Sequence, residues 1–391
     1  MTVSINGDTG VSAVQDNIVT ADKIAAGAVV ADIADGTITA SKLHTQVQSA
    51  LGVRNLIING DMRIAQRGTS VTGITMFGYL TVDRWKHDNY NAGVWTMSQD
   101  TDVPTGQGFS KSLKMTCTTA QASLPADARL QQGYRIEGQH LQHLKYGSSS
   151  AESVTLSFWV KTNKTGTYVI NLYDLDNSKN IGSQYTVSSA DTWEKKTLTF
   201  SGNTLNNFDN DNNVSLFIEF WFGAGSDKTT GTPPTTWTAI DQTTRAGGIT
   251  VNLADTVNNY ANITGVQLEV GDTATPFEHR PYDMELARCQ RYYESGYANH
   301  YGGSDGSSNL VTQRPFIVQK RATPTMSYST TDSFSSPNGN VRRQSASTGG
   351  EGDATANNYQ VWNHSWSVYC AVSVAHGAAR MNFYWYANAE L

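Results

Sequence analysis

Through the middle of the chain, apolar and polar residues alternate with a period of two. Val154, Leu156, Phe158 and Val160 alternate with Thr155, Ser157, Trp159 and Lys161, and Leu216, Ile218, Phe220 and Phe222 alternate with Phe217, Glu219 and Trp221. Tyr168 to Tyr173 reads as a third strand of the same kind. A period of two sends successive side chains to opposite faces of a strand, so these runs predict strands with one face in a core. Turn clusters such as Asp176-Asn177-Ser178 and Asn210 to Asn213 separate them. The architecture predicted for 54–282 is an all-β, two-sheet sandwich of jelly-roll type. Helical periodicity is weak. Its one candidate is near Met284 to Tyr293, where Met284, Leu286, Ala287 and Tyr293 share one helical face.

From 283 to the end the pattern predicts a third, small β-rich unit. The polar stretch Ser329 to Asn358 reads as loops or weak surface strands. Two strong strands close the chain, Ser367–Val374 and Arg380–Ala387, and Ala375 to Ala379 between them predicts a hairpin. Met381, Phe383 and Trp385 are expected on one face of the last strand, with Asn382, Tyr384 and Tyr386 on the other.

Residues 1–53 behave differently. They hold no aromatic, Pro or Cys, and Val19-Thr-Ala-Asp-Lys-Ile24 returns as Ile38-Thr-Ala-Ser-Lys-Leu43. Ile24, Ile33 and Leu43 are the apolar anchors of this repeat, with Gly27 and Gly36 as turns. One aliphatic anchor per nine or so residues cannot offset an ordering entropy on the order of 1 kcal/mol per residue. Several identical chains wound together can, because the anchors stack on a shared axis. The expectation is a thin, multi-chain fibrous segment.

Composition narrows the function classes. The 391 residues carry a formal net charge of −6 and are 16% charged. No segment has the basic excess that phosphate-backbone binding needs, so nucleic acid is not an expected partner. No run reaches the roughly 20 apolar residues of a membrane helix, so no membrane insertion is expected. The N-terminus has neither the positive start nor the apolar stretch of a signal peptide, which predicts synthesis and assembly in a cytoplasm. Cys117, Cys289 and Cys370 are odd in number and widely spaced, which predicts buried thiols rather than a disulfide framework or a zinc site.

Sugars are recognised by aromatic faces together with planar amide and carboxylate partners. The densest group of this kind is Tyr359, Trp362, His364, Trp366, Tyr384 and Tyr386, the candidate glycan-binding residues of the terminal unit. Trp159, Trp221 and Trp237 are secondary candidates in the sandwich. His140 and His143 stand three apart without a third ligand and read as a surface pair. Asp209 to Asn213 lacks the Gly and terminal Glu of a calcium loop and reads as a polar turn. Neither a metal nor a cofactor is expected. Glu137, Glu219 and Glu269 are isolated acids, and no catalytic residue is assigned.

Several stretches together resemble the tail fibre proteins of tailed bacteriophages. One is the N-terminal repeat. Another pairs Asn55-Leu-Ile-Ile-Asn-Gly-Asp-Met62 and Val82-Asp-Arg-Trp85 with Ile263 to Gly271, Ala274-Thr-Pro-Phe-Glu-His-Arg-Pro281 and Glu285-Leu-Ala-Arg-Cys-Gln-Arg-Tyr-Tyr-Glu294. These look like the opening and closing strands of a carbohydrate-binding-module-like jelly roll. The ending Phe383 to Leu391 is similar to the last strand of fibre tips. The resemblance implies a structural virion protein, a homotrimer held by a tail or baseplate protein at its N-terminus. Its distal domains would adsorb to host-surface polysaccharide or lipopolysaccharide. Residues 300–366 match no pattern of that family, so it implies no particular receptor. A polysaccharide depolymerase in the same virion position, or a connector whose C-terminus binds another viral protein, are the alternatives.

Overall fold

The computed structural model describes residues 54–303, 309–332, 337–345, 351–371 and 378–391. The N-terminal repeat, and with it the fibrous segment expected for 1–53, lies outside the described residues. All the described strands belong to one unit, Leu51–Leu391.

The sandwich strands are β1 (Ser70–Ile74), β2 (Gly78–Tyr79), β3 (Trp85–Tyr90), β4 (Val94–Asp100), β5 (Ser112–Thr119), β6 (Arg129–Glu137), β7 (Val154–Thr162), β8 (Gly166–Asp174), β9 (Lys179–Val187), β10 (Glu194–Phe200), β11 (Val214–Ala224), β12 (Thr238–Ala239) and β13 (Tyr260–Val270). One sheet has the order β1-β4-β5-β13-β7-β10, the other β12-β9-β8-β11-β6-β3-β2. Every pairing in both is antiparallel. The fold is all-β and jelly-roll-like, as the alternation predicts.

The two sheets meet through the predicted inward rows. Phe158 on β7 and Phe220 on β11 touch edge to face across the core, 5.2 Å between centroids. The outward row of β11 is also buried. Trp221 is fully covered beside Val169 and Ala246, and Glu219 pairs with Arg245 and accepts from Asn171 at 2.9 Å. The connection from β11 to β13 folds over this face and supplies Ala246 and Arg245, so the strand has no solvent side.

Helix α1 (Tyr282–Gln290) forms where predicted, but its buried face is Glu285, Cys289 and Gln290. Met284 is exposed, and Tyr293 already belongs to the next strand. The expected apolar face is wrong because Glu285 is drawn inward by main-chain and guanidinium donors, Asn59 N and Arg280.

The terminal unit contains β14 (Tyr293–Gly303), β15 (Asn309–Pro315), β16 (Thr325–Ser329), β17 (Asn340–Ser345), β18 (Glu351–Thr355), β19 (Asn357–Val361), β20 (Ser365–Ala371) and β21 (Ala378–Asn388). One sheet runs β14-β21-β17-β18, with β16 also paired to β21; the other runs β15-β20-β19. The expected hairpin of the last two strands does not form. β20 pairs with β15 and β19, while β21 pairs with β14, β16 and β17 in the other sheet. Both strands are apolar enough to line a core, and placing them in facing sheets lets Trp366 and Cys370 meet Phe383, Trp385 and Met381. The three cysteines are free and buried, and burial pushes the Cys370 thiol up to about 11.

Candidate glycan-binding face and the joint that carries it

Strands β14 and β21 run antiparallel in register from Tyr293–Asn388 to Gly303–Ala378. Gly296 and Ala298 point inward, and a Cβ on Gly296 would lie 2.9 Å from the Trp385 ring, so only glycine lets β14 close over the core. The opposite parity faces out. Tyr297, Asn299 and Tyr301 stand across from Tyr384, Asn382 and Arg380. Tyr297 is 51% and Tyr301 68% exposed.

These side chains hold each other in place. The Tyr297 and Tyr384 rings are 5.1 Å apart, and Asn382 Nδ2 donates to the Tyr297 hydroxyl at 2.9 Å. Arg380 lies over the Tyr301 ring at 5.4 Å and its Nε donates to Asn299 Oδ1 at 3.2 Å. The next strand extends the face with Arg342, opposite Asn382 and 3.5 Å from Asp353. Aromatic faces, amides, guanidiniums and a carboxylate thus share one exposed sheet surface. That combination can stack on sugar C–H faces and bond to hydroxyls.

The sequence-derived residues divide between several places. Tyr384 lies on this face. Tyr386 is in the same row but buried beside Tyr293 at the base of the unit. Trp366 is fully buried in the core among Tyr328, Phe383 and Trp385, which removes it as a surface contact. Its size and its place in an alternating strand made it core. Trp362 and His364 sit on the turn between β19 and β20, their rings stacked at 5.9 Å and 11°, with Trp362 38% exposed. Tyr359 lies in β19. The structure therefore brings Trp362 and His364 together and leaves Tyr384 on a different sheet. Tyr297, Asn299 and Tyr301 were missed, although their spacing of two in a tyrosine-rich strand was a readable signal.

In the sandwich, Trp159 opens onto a cleft of about 450 Å³ with Phe109, Phe277, His279 and Lys195. Trp237 donates to Ser201 O at 2.7 Å and packs on Tyr146. The isolated acids are each engaged. Glu137 accepts from Arg291 at 2.7 and 3.0 Å, Glu219 pairs with Arg245, and Glu269 accepts from Thr275 N at 2.8 Å and Thr275 Oγ1 at 2.6 Å. The Asp209 to Asn213 run is a turn whose Asn212 O accepts from Arg321 at 2.8 Å. Among the described residues no group of three His, Cys, Asp or Glu side chains is placed to hold a metal.

Parts of the stretches that carried the resemblance line two separate clefts. Most of these stretches build the joint between sandwich and terminal unit. Asn55 Oδ1 accepts from Ile57 N and Leu268 N, and Glu278 accepts from Arg54 N and Asn55 N, tying the first sandwich residues to the last. Asn59 bridges Ile64 O and Asp83 O at 2.9 Å each. Arg67 and Arg84 lie over the rings of Tyr293 and Tyr292 at 3.7 and 3.5 Å, and both reach the Glu390 carboxylate. Arg135 donates to Leu391 O at 2.7 Å, and Lys320 pairs with Glu294. Asn59, Met62 and Arg84 have left-handed backbones, with φ of 59°, 60° and 73°, a strain on the order of 1 kcal/mol each that this network sustains.

Burial pushes the Asp83 carboxyl up to about 6 against the pull of Arg67 and the Gln66 hydrogen bonds. Glu137 is held below the usual carboxylate range: burial acts upward, but the hydrogen bonds and charge of Arg291 outweigh it.

No protein-family model matches the chain, and no curated protein matches it. Solved structures similar to it include the enzymatically active domain of bacteriophage CBA120 tailspike protein 4, at 14% identity and a TM-score of 0.29 over 55% of this chain and 21% of that one. TmCBM61 in complex with β-1,4-galactotriose is similar at 7% identity and a TM-score of 0.28, over 56% of this chain and 99% of that one. The family 11 carbohydrate-binding module from Clostridium thermocellum, in complex with a mixed-linked tetrasaccharide, is similar at 8% identity and a TM-score of 0.26, over 54% of this chain and 98% of that one. The chain spans about a fifth of the length of the tailspike domain.

Proposed function

We propose that this chain is a structural virion protein, a homotrimeric tail fibre that adsorbs to a bacterial surface glycan without cutting it. The observation that carries the glycan reading is the outward face of β14 and β21, where Tyr297, Tyr301 and Tyr384 alternate with Asn299, Asn382 and Arg380. The resemblance of the 55–62, 82–85, 263–281 and 285–294 stretches to tail fibres supports the virion reading. The rigid joint suits a part that transmits load from a bound surface to a tail or baseplate protein. The aliphatic repeat of 1–53 supports trimerisation, and three weak faces on one fibre raise avidity by about 10² to 10⁴.

Adsorption is the test. Labelled full-length protein should decorate susceptible cells and be displaced by their soluble surface polysaccharide. Undiminished binding to cells stripped of that polysaccharide would sink the glycan reading. Light scattering checks assembly, with a trimer expected at micromolar concentration and a monomer contradicting it.

A further inference from the structure

On the sandwich side of the joint a cleft of about 470 Å³ is lined by Asn55, Leu56, Ile58, Gln139, His140, His143, Arg288 and Arg291. It is basic in a chain whose net charge is −6. His140 and His143 lie on successive tight turns, Gly138–His140 and Gln142–Leu144, and both are exposed. Arg288 reaches the cleft from the last turn of α1, and Arg291 follows the helix.

The acids nearby are already used. Glu137 takes two hydrogen bonds from Arg291, through Nε and Nη2, and one from Gln139. Glu285 is engaged by Arg280 and Asn59 N, and Glu278 by Arg280 and the main chain of Arg54 and Asn55. By contrast, the Arg288 guanidinium and both imidazoles have no hydrogen-bond or ion-pair partner among the described residues. Arg288 is half-buried, and its charged neighbours are the cation Arg280 and the carboxylates Glu285 and Glu278, both of which Arg280 already engages. The Arg288 guanidinium nitrogens are open to the cleft rather than buried, so the fork is free to take an anion there.

We infer that this cleft is a binding site for a single carboxylate or phosphate group, of the kind carried by acidic surface sugars, with Arg288 as its main ligand and His140 and His143 as flanking donors. Arg288 takes the anion in the fork geometry that guanidinium and oxyanion share. The Nη1 of Arg291, left over from its pairing with Glu137, adds a further donor. The site goes beyond the terminal face and does not depend on it.

The test is calorimetric titration of the full-length protein at pH 7 and low salt with inorganic phosphate, D-glucuronate and D-glucose. At least one anion should bind saturably and glucose should not. Binding of phosphate alone or of glucuronate alone upholds the site and identifies the group. R288Q should weaken the binding about tenfold or more, the scale of a charge-assisted hydrogen bond. K195Q, elsewhere on the sandwich, and the double variant Y297A/Y301A should titrate as wild type, so this site and the terminal face fail separately. The exposed pair H140N/H143N carries the same test if R288Q does not fold. Failure of both anions to bind, or wild-type titration by R288Q or H140N/H143N, would overturn the inference.

Discussion

Arg67 and Glu390 are 323 residues apart in sequence and meet at 3.2 Å with almost no side-chain exposure on either. Arg84 shares the same carboxylate. The last residues of the terminal unit are thus the counter-ion of two guanidiniums in the sandwich.

Removing that carboxylate leaves two buried cations short of a partner. E390A should lose about 3 kcal/mol of stability, the scale for breaking one side of a buried pair. Urea unfolding checks it. A loss under about 0.5 kcal/mol would show that Asp83, the aromatic rings and the main-chain acceptors suffice without Glu390.

The same geometry alters what truncation should do. The sequence divides the chain at 282, as though the sandwich were independent. In the structure, cutting there removes Glu285, Tyr292, Tyr293 and Glu390 from Arg280, Arg84 and Arg67. A 54–282 fragment is expected to unfold at least about 10 °C below the full chain, from several kcal/mol of lost contacts, as differential scanning calorimetry would read. Equal melting would contradict the joint.

Asp83 gives a pH prediction with a definite sign. Its folded pKa of about 6 lies above the ordinary 3.8, so the folded state binds the extra proton between these values. Its contribution therefore favours folding below about pH 4, is lost as pH rises through 6, and is flat above. The stability difference between wild type and D83N should fall by about 2 to 3 kcal/mol from pH 4 to 7, at 1.36 kcal/mol per unit. A difference that stays constant or rises over that range contradicts it. Comparing the two proteins cancels groups such as Glu137, whose lowered pKa acts in the opposite direction.

Gly296 tests the packing under the terminal face. G296A places a methyl 2.9 Å from the Trp385 ring and should cost about 1 to 3 kcal/mol with a changed tryptophan emission. An unchanged spectrum and stability would mean that β14 does not close on Trp385.

The strands were legible because their alternation is set by burial. Val154 to Val160 and Leu216 to Phe222 face the core as their spacing says. What the alternation could not show is which outward faces are covered. Trp221 looks like a solvent-facing partner of Phe220, yet Ala246 and Arg245 come from a distant connection to bury it. Strand partners were equally hidden. Neighbours in sequence predict a hairpin for β20 and β21, but both strands are apolar enough to line opposite walls of one core. The aromatic cluster of the terminal unit misled for related reasons, since Trp366 follows the pattern of its strand inward and Tyr386, though in the outward row, is covered at the base of the unit beside Tyr293. The missed tyrosines of β14 needed the pairing to β21 before Tyr297 and Tyr301 could be seen as neighbours of Tyr384 and Arg380.

The central claim is that the chain holds a surface glycan through the β14–β21 face and leaves it intact. The most direct measurement is retention of wild type and Y297A/Y301A on immobilised bacterial surface polysaccharides, with reducing ends assayed in the same wells. Both residues are exposed, so the double variant should melt within a few degrees of wild type. The prediction is retention of wild type on at least one polysaccharide, a loss of about tenfold or more for the double variant, and no new reducing ends. Equal retention of a folded double variant, or release of reducing ends by the wild type, would contradict it.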